Sequence, residues 1–443
     1  MKKAVGEVIV AGGGLAGVEA ALTLARHGVP VTIYEMRPAK TTPAHTTDLL
    51  AELVCSNSLK GTDPLTAHGI LKREMEALGS VVLSAASRCR IPAGKALAVD
   101  RTAFAEAVTE TVSRHPNITI RREELTSIDP DRLTIVATGP LTSDAMAGCI
   151  ASLTGTPRLH FYDAISPVVD AQSIDMEHAF FASRWDAPSM DYLNCPLDET
   201  TYRAFVSELL KADRAKAHLF EDARYFEACL PVEVLAGRGA DALRFGPMRP
   251  VGLLDPRTGR RPFAVVQLRR ENLAGDAYTM VGFQTRLTYP EQKRVISLIP
   301  ALRHAEFFRF GSIHRNTYVD SPQVLNRDLS LKAAGNVYLA GQITGVEGYV
   351  ESSATGIVAG LSVLARIKDA AFSPPGPETA IGALIAYITS PTQAPFQPSN
   401  INFGIMAALD APRKRRAELL SSRALSSFER WMENTMRALG ERA

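Results

Sequence analysis

Two sets of residues in this chain are of types and spacing that do chemistry. The first is Gly12, Gly14 and Gly17 within Gly12-Gly13-Gly14-Leu15-Ala16-Gly17, followed by Glu35 18 residues beyond Gly17. A G-x-G-x-x-G run of this kind holds a dinucleotide. Its first glycine permits a tight turn, its second lets the backbone approach a pyrophosphate, and its third lets the following helix pack closely. A carboxylate at the position of Glu35 accepts hydrogen bonds from a ribose hydroxyl and repels a 2′-phosphate, so FAD or NAD fits and NADP fits poorly. The second set is five cysteines, Cys55, Cys89, Cys149, Cys195 and Cys229, separated by 34, 60, 46 and 34 residues. No pair has the close spacing of a zinc knuckle or redox pair, so no metal site is expected. Each is by default a small buried hydrophobe.

The elements around the glycines must position them. Glu7-Val8-Ile9-Val10-Ala11 reads as a strand, Val18 to Arg26 as a helix ended by His27-Gly28, and Val29 to Glu35 as a second strand closing on its acid. Strand, glycine loop, helix, strand and carboxylate follow one another within about 30 residues, the order a dinucleotide fold requires. The helix N-terminus then presents free N–H groups and partial positive charge to the phosphates.

Two later strand–glycine elements separate FAD from NAD. Leu133 to Pro140 is a strand ending in Ala137-Thr138-Gly139, and Gly335 to Gln342 is a buried strand running into Gly341. Gly345, Gly348 and Gly356 then surround Glu347, Tyr349, Glu351, Ser352 and Thr355, ahead of an apolar helix expected over Ile357 to Ile367. In FAD folds such a strand and helix bring a helix N-terminus to the flavin ring, stabilising charge on its reduced form. The cofactor is read as FAD. No second G-x-G-x-x-G follows, so either a pyridine nucleotide binds transiently at the flavin site or the reductant is something else.

The chain has 443 residues, 46% of them hydrophobic, with 49 Lys and Arg against 47 Asp and Glu. That excludes a disordered tail, a collagen-like fibre and a disulfide scaffold. The expectation is no membrane span, since no apolar run approaches roughly 18 residues, no signal peptide, and a cytoplasmic location. The expected fold class is α/β: a Rossmann-like FAD-binding domain of the glutathione-reductase type with an inserted α+β domain. The boundaries expected are 1–165 for the first part of the FAD domain, 166–314 for the insertion, and 315–443 for the second part with its basic C-terminal segment. Within the insertion, Phe263 to Leu268 and Tyr278 to Phe283 read as strands and Thr200 to Ala212 as a helix. Pro374-Pro375-Gly376-Pro377 reads as a linker. From 413 to 443 there are eight Lys and Arg against four Glu, opening with Arg413-Lys414-Arg415-Arg416. With Arg257, Arg260, Arg261, Arg269 and Arg270 these form a candidate phosphate-tracking surface on a chain near neutrality.

Several segments together resemble one family, the folate- and FAD-dependent tRNA uracil-5-methyltransferases known as TrmFO, related to the MnmG/GidA family. They are Ala11 to Gly17, Glu35-Met36-Arg37-Pro38, Thr42-Pro43-Ala44-His45, Val54-Cys55-Ser56-Asn57-Ser58-Leu59, Ala98-Val99-Asp100-Arg101, Asp191-Tyr192-Leu193-Asn194-Cys195-Pro196, Phe226-Glu227-Ala228-Cys229-Leu230-Pro231, Phe245-Gly246-Pro247-Met248, Leu254 to Gly259, His314-Arg315-Asn316-Thr317-Tyr318, Gly345-Val346-Glu347-Gly348-Tyr349 and Phe396-Gln397-Pro398. The sister family, which modifies the wobble uridine, is longer and has a C-terminal helical domain that this chain lacks.

The resemblance implies transfer of one carbon from methylenetetrahydrofolate to C5 of a T-loop uridine of tRNA. FADH2 is the implied reductant, regenerated by NAD(P)H. Uracil C5 is a poor nucleophile until a thiolate adds to C6, so an activated cysteine is needed, and a second group must remove the C5 proton. The family uses two cysteines, matching Cys55 and Cys229 here. Cys229 is assigned as the C6 nucleophile and Cys55 as the assisting thiol. Glu227 raises a neighbouring thiol's pKa, so activation must come from elsewhere, Arg224 or the substrate phosphates. The cofactor set expected is Gly12, Gly13, Gly14, Leu15, Ala16, Gly17, Glu35, Arg37, Thr138, Gly139, Gly341, Gln342 and Glu351. Expected folate or uridine contacts are His314, Tyr349, His45 and Asn57. The partners expected are the tRNA T-arm, folate and a pyridine nucleotide, with no membrane and no obligate protein partner. The competing readings are a flavin oxidoreductase acting on a small molecule, the same methylation on a ribosomal RNA uridine, and an FAD-bound RNA-binding factor without catalysis.

Overall fold

The computed structural model describes residues 6–42, 44–156, 159–184, 189–215, 230–391 and 396–440, with 159–163 and 313–315 described as backbone. The apolar run Val8–Ala11 forms the central strand of a five-stranded parallel sheet. Val31–Tyr34 and then Ile118–Arg121 lie on one side of it, Thr134–Val136 and then Val337–Leu339 on the other. Helices cover such a sheet, which is why its strands are continuous apolar runs rather than alternating ones. Leu15–Ala25 and Tyr349–Ile367 are two of those helices, and they pack along each other.

The apolar helix expected from Ile357 begins eight residues earlier, at Tyr349. Gly356 does not end it: a Cβ there would overlap the carbonyl of Ala16, so the glycine marks where the two helices touch. By length and mean hydropathy alone the helix suffices to cross a membrane, contrary to the expectation that no stretch would, but 89% of its apolar window is buried inside the protein. Its apolar surface is spent on the core.

A second sheet of six antiparallel strands draws all of them from Val168–Arg309. Its order is Phe180–Phe181, Tyr192–Leu197, Ala264–Arg270, Ala277–Met280, Val168–Asp170 and Phe307–Arg309, so the last is an edge strand. Helices Glu199–Lys211 and Tyr289–Ile296 bury Tyr202, Phe205, Leu209, Val295 and Ile296 in the core of this layer. The chain leaves and re-enters the nucleotide domain through one antiparallel ladder, Leu159–Ile165 against Ser312–Tyr318. The fold is the α/β class expected, an FAD-type parallel sheet interrupted by an α+β layer.

The Pro374–Pro377 stretch is not a free linker. Pro374 and Pro375 are buried, and the helix that follows, Ala380–Thr389, is capped by fully buried Glu74, which accepts from Ala380 N and Ile381 N at 2.8 Å each. Burial pushes the Glu74 pKa up to about 8, so its part is to satisfy the orphan N–H donors of that helix rather than to place a charge at its end. The last helix, Arg416–Ala438, packs on Ala67–Ala77 and buries Leu420, Ala424 and Phe428, leaving Arg413, Lys414, Arg415 and Arg416 exposed.

Candidate active site

The glycine loop connects the central strand to its helix and forms one wall of a cavity. Gly12 turns with φ +101°, and a Cβ at Gly17 would overlap the Gly12 carbonyl, so only glycine lets the helix start so close to the strand. Gly14 faces open space, with no atom within 4 Å of where a Cβ would stand. The helix has Gly14 as its N-cap and no side-chain cap, which leaves its first N–H groups for a ligand.

Glu35 is fixed from both sides. Its Oε2 accepts from Gly13 N at 2.9 Å, and its Oε1 accepts from Arg37 N at 3.1 Å and Arg37 Nε at 2.9 Å. Burial raises its pKa, but the Arg37 guanidinium and these N–H donors outweigh that and hold the carboxyl below its ordinary range. Arg37 is itself buried, donating to Glu52 Oε2 at 3.0 Å and Thr47 O at 3.2 Å. It therefore anchors Glu35. An ionised carboxylate keeps lone pairs beyond the three bonds counted here, so Glu35 can still accept from a hydroxyl.

Around the same cavity stand Leu15, Ala16, Arg37, Thr138, Gly139, Gly341 and Gln342 with Gly12, Gly14 and Glu35. Gly341 N donates to Thr355 Oγ1 at 2.7 Å, and Gln342 Nε2 to Glu347 Oε2 at 2.7 Å, which fixes the last strand–glycine turn against the helix it precedes. Gly13 and Gly17 act from behind, through the bond to Glu35 and the close helix approach. An open cradle at a helix N-terminus, a ribose-ready acid and two further strand ends are a donor set that fits FAD.

A second cavity adjoins the first. Val54, Pro140, Leu141, Gln342 and Tyr349 line both. Cys55, Ser56, Ser58, Lys60, Gln284, Asn316, Glu347 and Glu351 line the second only. Cys55 therefore opens on a chamber that shares a wall with the cofactor cavity. Its loop is clamped at every turn. Tyr349 Oη accepts from Cys55 N at 2.7 Å and Ser56 N at 3.1 Å. The Arg309 guanidinium donates to Val54 O and Cys55 O at 3.4 Å each. Arg101 donates to Leu53 O and grips Glu271 with its Nη2 at 3.1 Å to both oxygens. Arg101, Arg269 and Arg309 against the one carboxylate of Glu271 leave surplus positive charge behind the cysteine loop. Burial pulls the pKa of Arg309 below its ordinary value, with Arg101 adding to the effect.

Asn57 is not where a substrate contact would be. It is fully buried; its Nδ2 donates to the carbonyls of Val99, Arg270 and Glu271, and its Oδ1 accepts from Arg269 Nε at 3.0 Å. With its amide so committed, it ties the cysteine loop to the inserted domain. The same bond removes Arg269 from the candidate phosphate surface, since that guanidinium is buried. Arg257 is also partly spent, donating through Nε and Nη2 to Asp255 at 3.0 and 2.7 Å.

Glu351 lies on the second cavity rather than among the cofactor residues. It is fully buried, with Lys60 Nζ at 3.2 Å and His68 Nδ1 at 3.4 Å from its Oε1, which also accepts from Ile401 N at 3.2 Å. Burial would raise its pKa; Lys60 and His68 overcome that and pull it down to about 2. Lys60 holds a left-handed backbone, φ +63°, unusual for a residue with a side chain. Beside it Lys72 donates to Gly61 O at 3.0 Å, and burial brings its pKa down to about 8. Sequence reasoning missed Lys60, His68, Arg101, Glu271 and Arg309. The available signal was adjacency: Lys60 follows Ser58-Leu59, and Arg101 closes Ala98-Val99-Asp100-Arg101.

His45 is on the first cavity, its Nδ1 2.6 Å from Thr42 Oγ1. Tyr349 lies between the two chambers, and burial pushes its hydroxyl pKa up. His314 is in the strand Ser312–Tyr318, its backbone opposite Asp163. Cys229, with Arg224 and Glu227, lies outside the described residues. The described chain resumes at Leu230, and Val232 N donates to the carbonyl of Gln284, a residue of the second cavity, at 2.7 Å. Cys89 and Cys195 are buried, and burial pushes both thiols up, Cys195 to about 12. Neither is suited to act as a nucleophile.

A family model described as glucose inhibited division protein A matches residues 7–371. The methylenetetrahydrofolate--tRNA-(uracil-5-)-methyltransferase TrmFO of Moorella thermoacetica is 53% identical over 422 residues, covering 95% of this chain and 97% of its own. The protein of the same name from Aquifex aeolicus is 53% identical over 432 residues and 96% of each chain. Among solved structures, Aquifex aeolicus GidA in its form II crystal superposes with a TM-score of 0.70 at 19% identity, over 98% of this chain and 73% of that one. That last likeness speaks to the fold. Identity above one half from end to end, carried by a chain with the cofactor cradle and cysteine chamber described above, means that this protein belongs to the TrmFO family.

Proposed function

We propose that the protein methylates C5 of the T-loop uridine of tRNA, with methylenetetrahydrofolate as carbon donor. The observation that carries this reading is the shared wall between the cofactor cavity and the chamber of Cys55. FAD, reduced by NAD(P)H, supplies the electrons that bring the transferred carbon to the methyl level. Gly12, Gly14 and the helix N-terminus would hold its pyrophosphate, and Glu35, anchored by Arg37, would take a ribose hydroxyl.

The protein's own groups then do the following. The Cys229 thiolate adds to C6 of the extruded uracil, and the displaced electron pair moves through C5–C4 onto O4. C5 becomes the nucleophile that takes the carbon. Cys55 assists from the chamber wall in removing the C5 proton, and the electron pair so freed breaks the carbon–nitrogen bond to folate, releasing tetrahydrofolate and leaving an exocyclic methylene at C5. Hydride addition to that carbon gives the methyl group, re-forms C5=C6 and expels the Cys229 thiolate. Arg309, Asn57 and Tyr349 fix the backbone on which Cys55 rides. Lys60, held by Glu351, places a cation in the same chamber, where it stabilises developing negative charge. His314 and Tyr349 contribute to folate and flavin recognition, and His45 to the cofactor side. Extrusion of the uridine from its folded loop costs a few kcal/mol, met by contacts elsewhere on the RNA. A cytoplasmic location belongs to the same reading.

Purified protein incubated with FAD, NADPH, methylenetetrahydrofolate and unmodified tRNA transcript should yield 5-methyluridine on nucleoside analysis. Cys229→Ala should abolish it with flavin still bound, whereas loss of the flavin would make that residue structural. NADPH oxidation driven by small molecules with no 5-methyluridine would favour the oxidoreductase instead.

A further inference from the structure

At the outer end of the cysteine clamp, three aromatic rings form a parallel column. Phe310 stacks on Tyr289 with centroids 4.6 Å apart and planes 16° from parallel, and on Phe307 at 4.9 Å and 17°. Tyr289 is 57% exposed, and Lys293 Nζ stands 5.7 Å from the Phe310 centroid. The column is rigid. Gln292, fully buried, accepts from Gly311 N at 2.7 Å and donates to Gly311 O and Leu287 O at 2.8 Å each, which fixes the helix carrying Tyr289 to the chain carrying Phe310.

Its place is as telling as its geometry. Phe307 lies on the edge strand of the inserted sheet. Arg309, one Cα step of about 3.8 Å from Phe310, reaches the carbonyls of Val54 and Cys55. The column thus begins where the wall of the substrate chamber ends. Two carboxylates on that flank are paired, Arg294 bridging Glu291 at 2.7 Å and Glu208 at 2.6 Å, and Lys293 is exposed; Glu306 and Asp213 are exposed acids nearby. An exposed ring closing a preformed stack, beside a cation and next to a chamber that must receive one base, fits a nucleobase face. Base–aromatic stacking is tolerant of sequence and is a large part of how proteins hold unstacked RNA.

We infer that Tyr289, Phe310 and Phe307 form a stacking platform for a nucleotide flanking the uridine that enters the chamber. The inference deepens the proposed function by naming the face where the RNA strand docks, and it rests on that reading.

The test uses the FAD-loaded full chain and tRNA transcripts carrying 2-aminopurine at either nucleotide flanking the target. Stacking quenches that fluorophore. Wild-type protein should quench it at one flanking position. Tyr289→Ala should lose that quenching and raise KM for tRNA roughly 5- to 100-fold, while Tyr289→Trp should restore both. The flavin-to-protein ratio verifies that each variant is folded. Quenching and KM unchanged in Tyr289→Ala would overturn the platform, as would a KM defect that Tyr289→Trp does not rescue. Absence of 5-methyluridine with the wild-type protein is a separate result: it would defeat the functional reading, while the fluorescence still decides the platform.

Discussion

Glu351→Gln is the most direct probe of the charge set beneath the substrate chamber. The carboxylate is fully buried, and its neighbours pull its pKa from the ordinary 4.5 to about 2. A carboxyl whose folded pKa is depressed stabilises the native state above its unfolded pKa and loses that contribution as pH falls through the folded one. The displacement corresponds to about 3 kcal/mol at neutral pH. Lys60 and His68 are 33% and 27% exposed and regain some hydration when the charge is removed, which trims the expected loss to about 2 kcal/mol. Urea titrations of both proteins at pH 7, 5, 4 and 3 measure it. The gap should be full at pH 7 and 5, narrow from pH 4.5 downward, and be roughly halved by pH 3. Flavin content should be unchanged, because Glu351 faces the second cavity. A gap below about 0.5 kcal/mol at pH 7, or one that stays constant to pH 3, would refute the ion-pair reasoning; loss of flavin would return Glu351 to the cofactor residues.

Glu35→Gln should lower flavin occupancy, because the amide turns an N–H toward the Gly13 N–H and leaves buried Arg37 with Glu52 as its remaining acidic partner; about 2 kcal/mol of stability should go with it, measured by flavin absorbance per protein and urea midpoint. Asn57→Ala frees three carbonyls and the Arg269 Nε in the interior, so stability should fall by about 3 kcal/mol. Methyl transfer should slow even where the protein remains folded, since the Cys55 loop loses its tie to the inserted domain. Single-turnover methylation at saturating tRNA separates the two effects, and an unchanged rate would show that the tie does not position the cysteine.

The Asn57 result shows where sequence reasoning goes astray. A polar run beside a candidate cysteine, Ser56-Asn57-Ser58, reads equally as a substrate contact or as a scaffold, because the side chain is the same. Only the fold decides which partners it meets: here the Arg269 guanidinium and the carbonyls of Arg270 and Glu271, more than 200 residues away. Arg269 illustrates the converse. It stands in a basic cluster on paper, yet its strand is buried on both faces, and its guanidinium is held inside by Asn57. Gly356 was read as part of a loop because glycine usually interrupts a helix; close contact with Ala16 is what makes it favourable there.

What the amino-acid sequence determined unaided is local. Val8 to Glu35 contains strand, turn, helix, strand and acid in one short run, and each element is specified by neighbours within reach, so the dinucleotide cradle was legible residue by residue. The family motifs named the chemistry for the same reason: they are short and contiguous. The tertiary structure alone decided which charges and rings face one chamber. Cys55 meets Tyr349 and Arg309 across separations of 294 and 254 residues, and Lys60 meets Glu351 across 291. Periodicity carries no information over such distances, because these contacts are made where the two parts of the nucleotide domain, and Arg309 of the inserted layer, close round one chamber, and that packing is set by the whole core rather than by the residues that meet there.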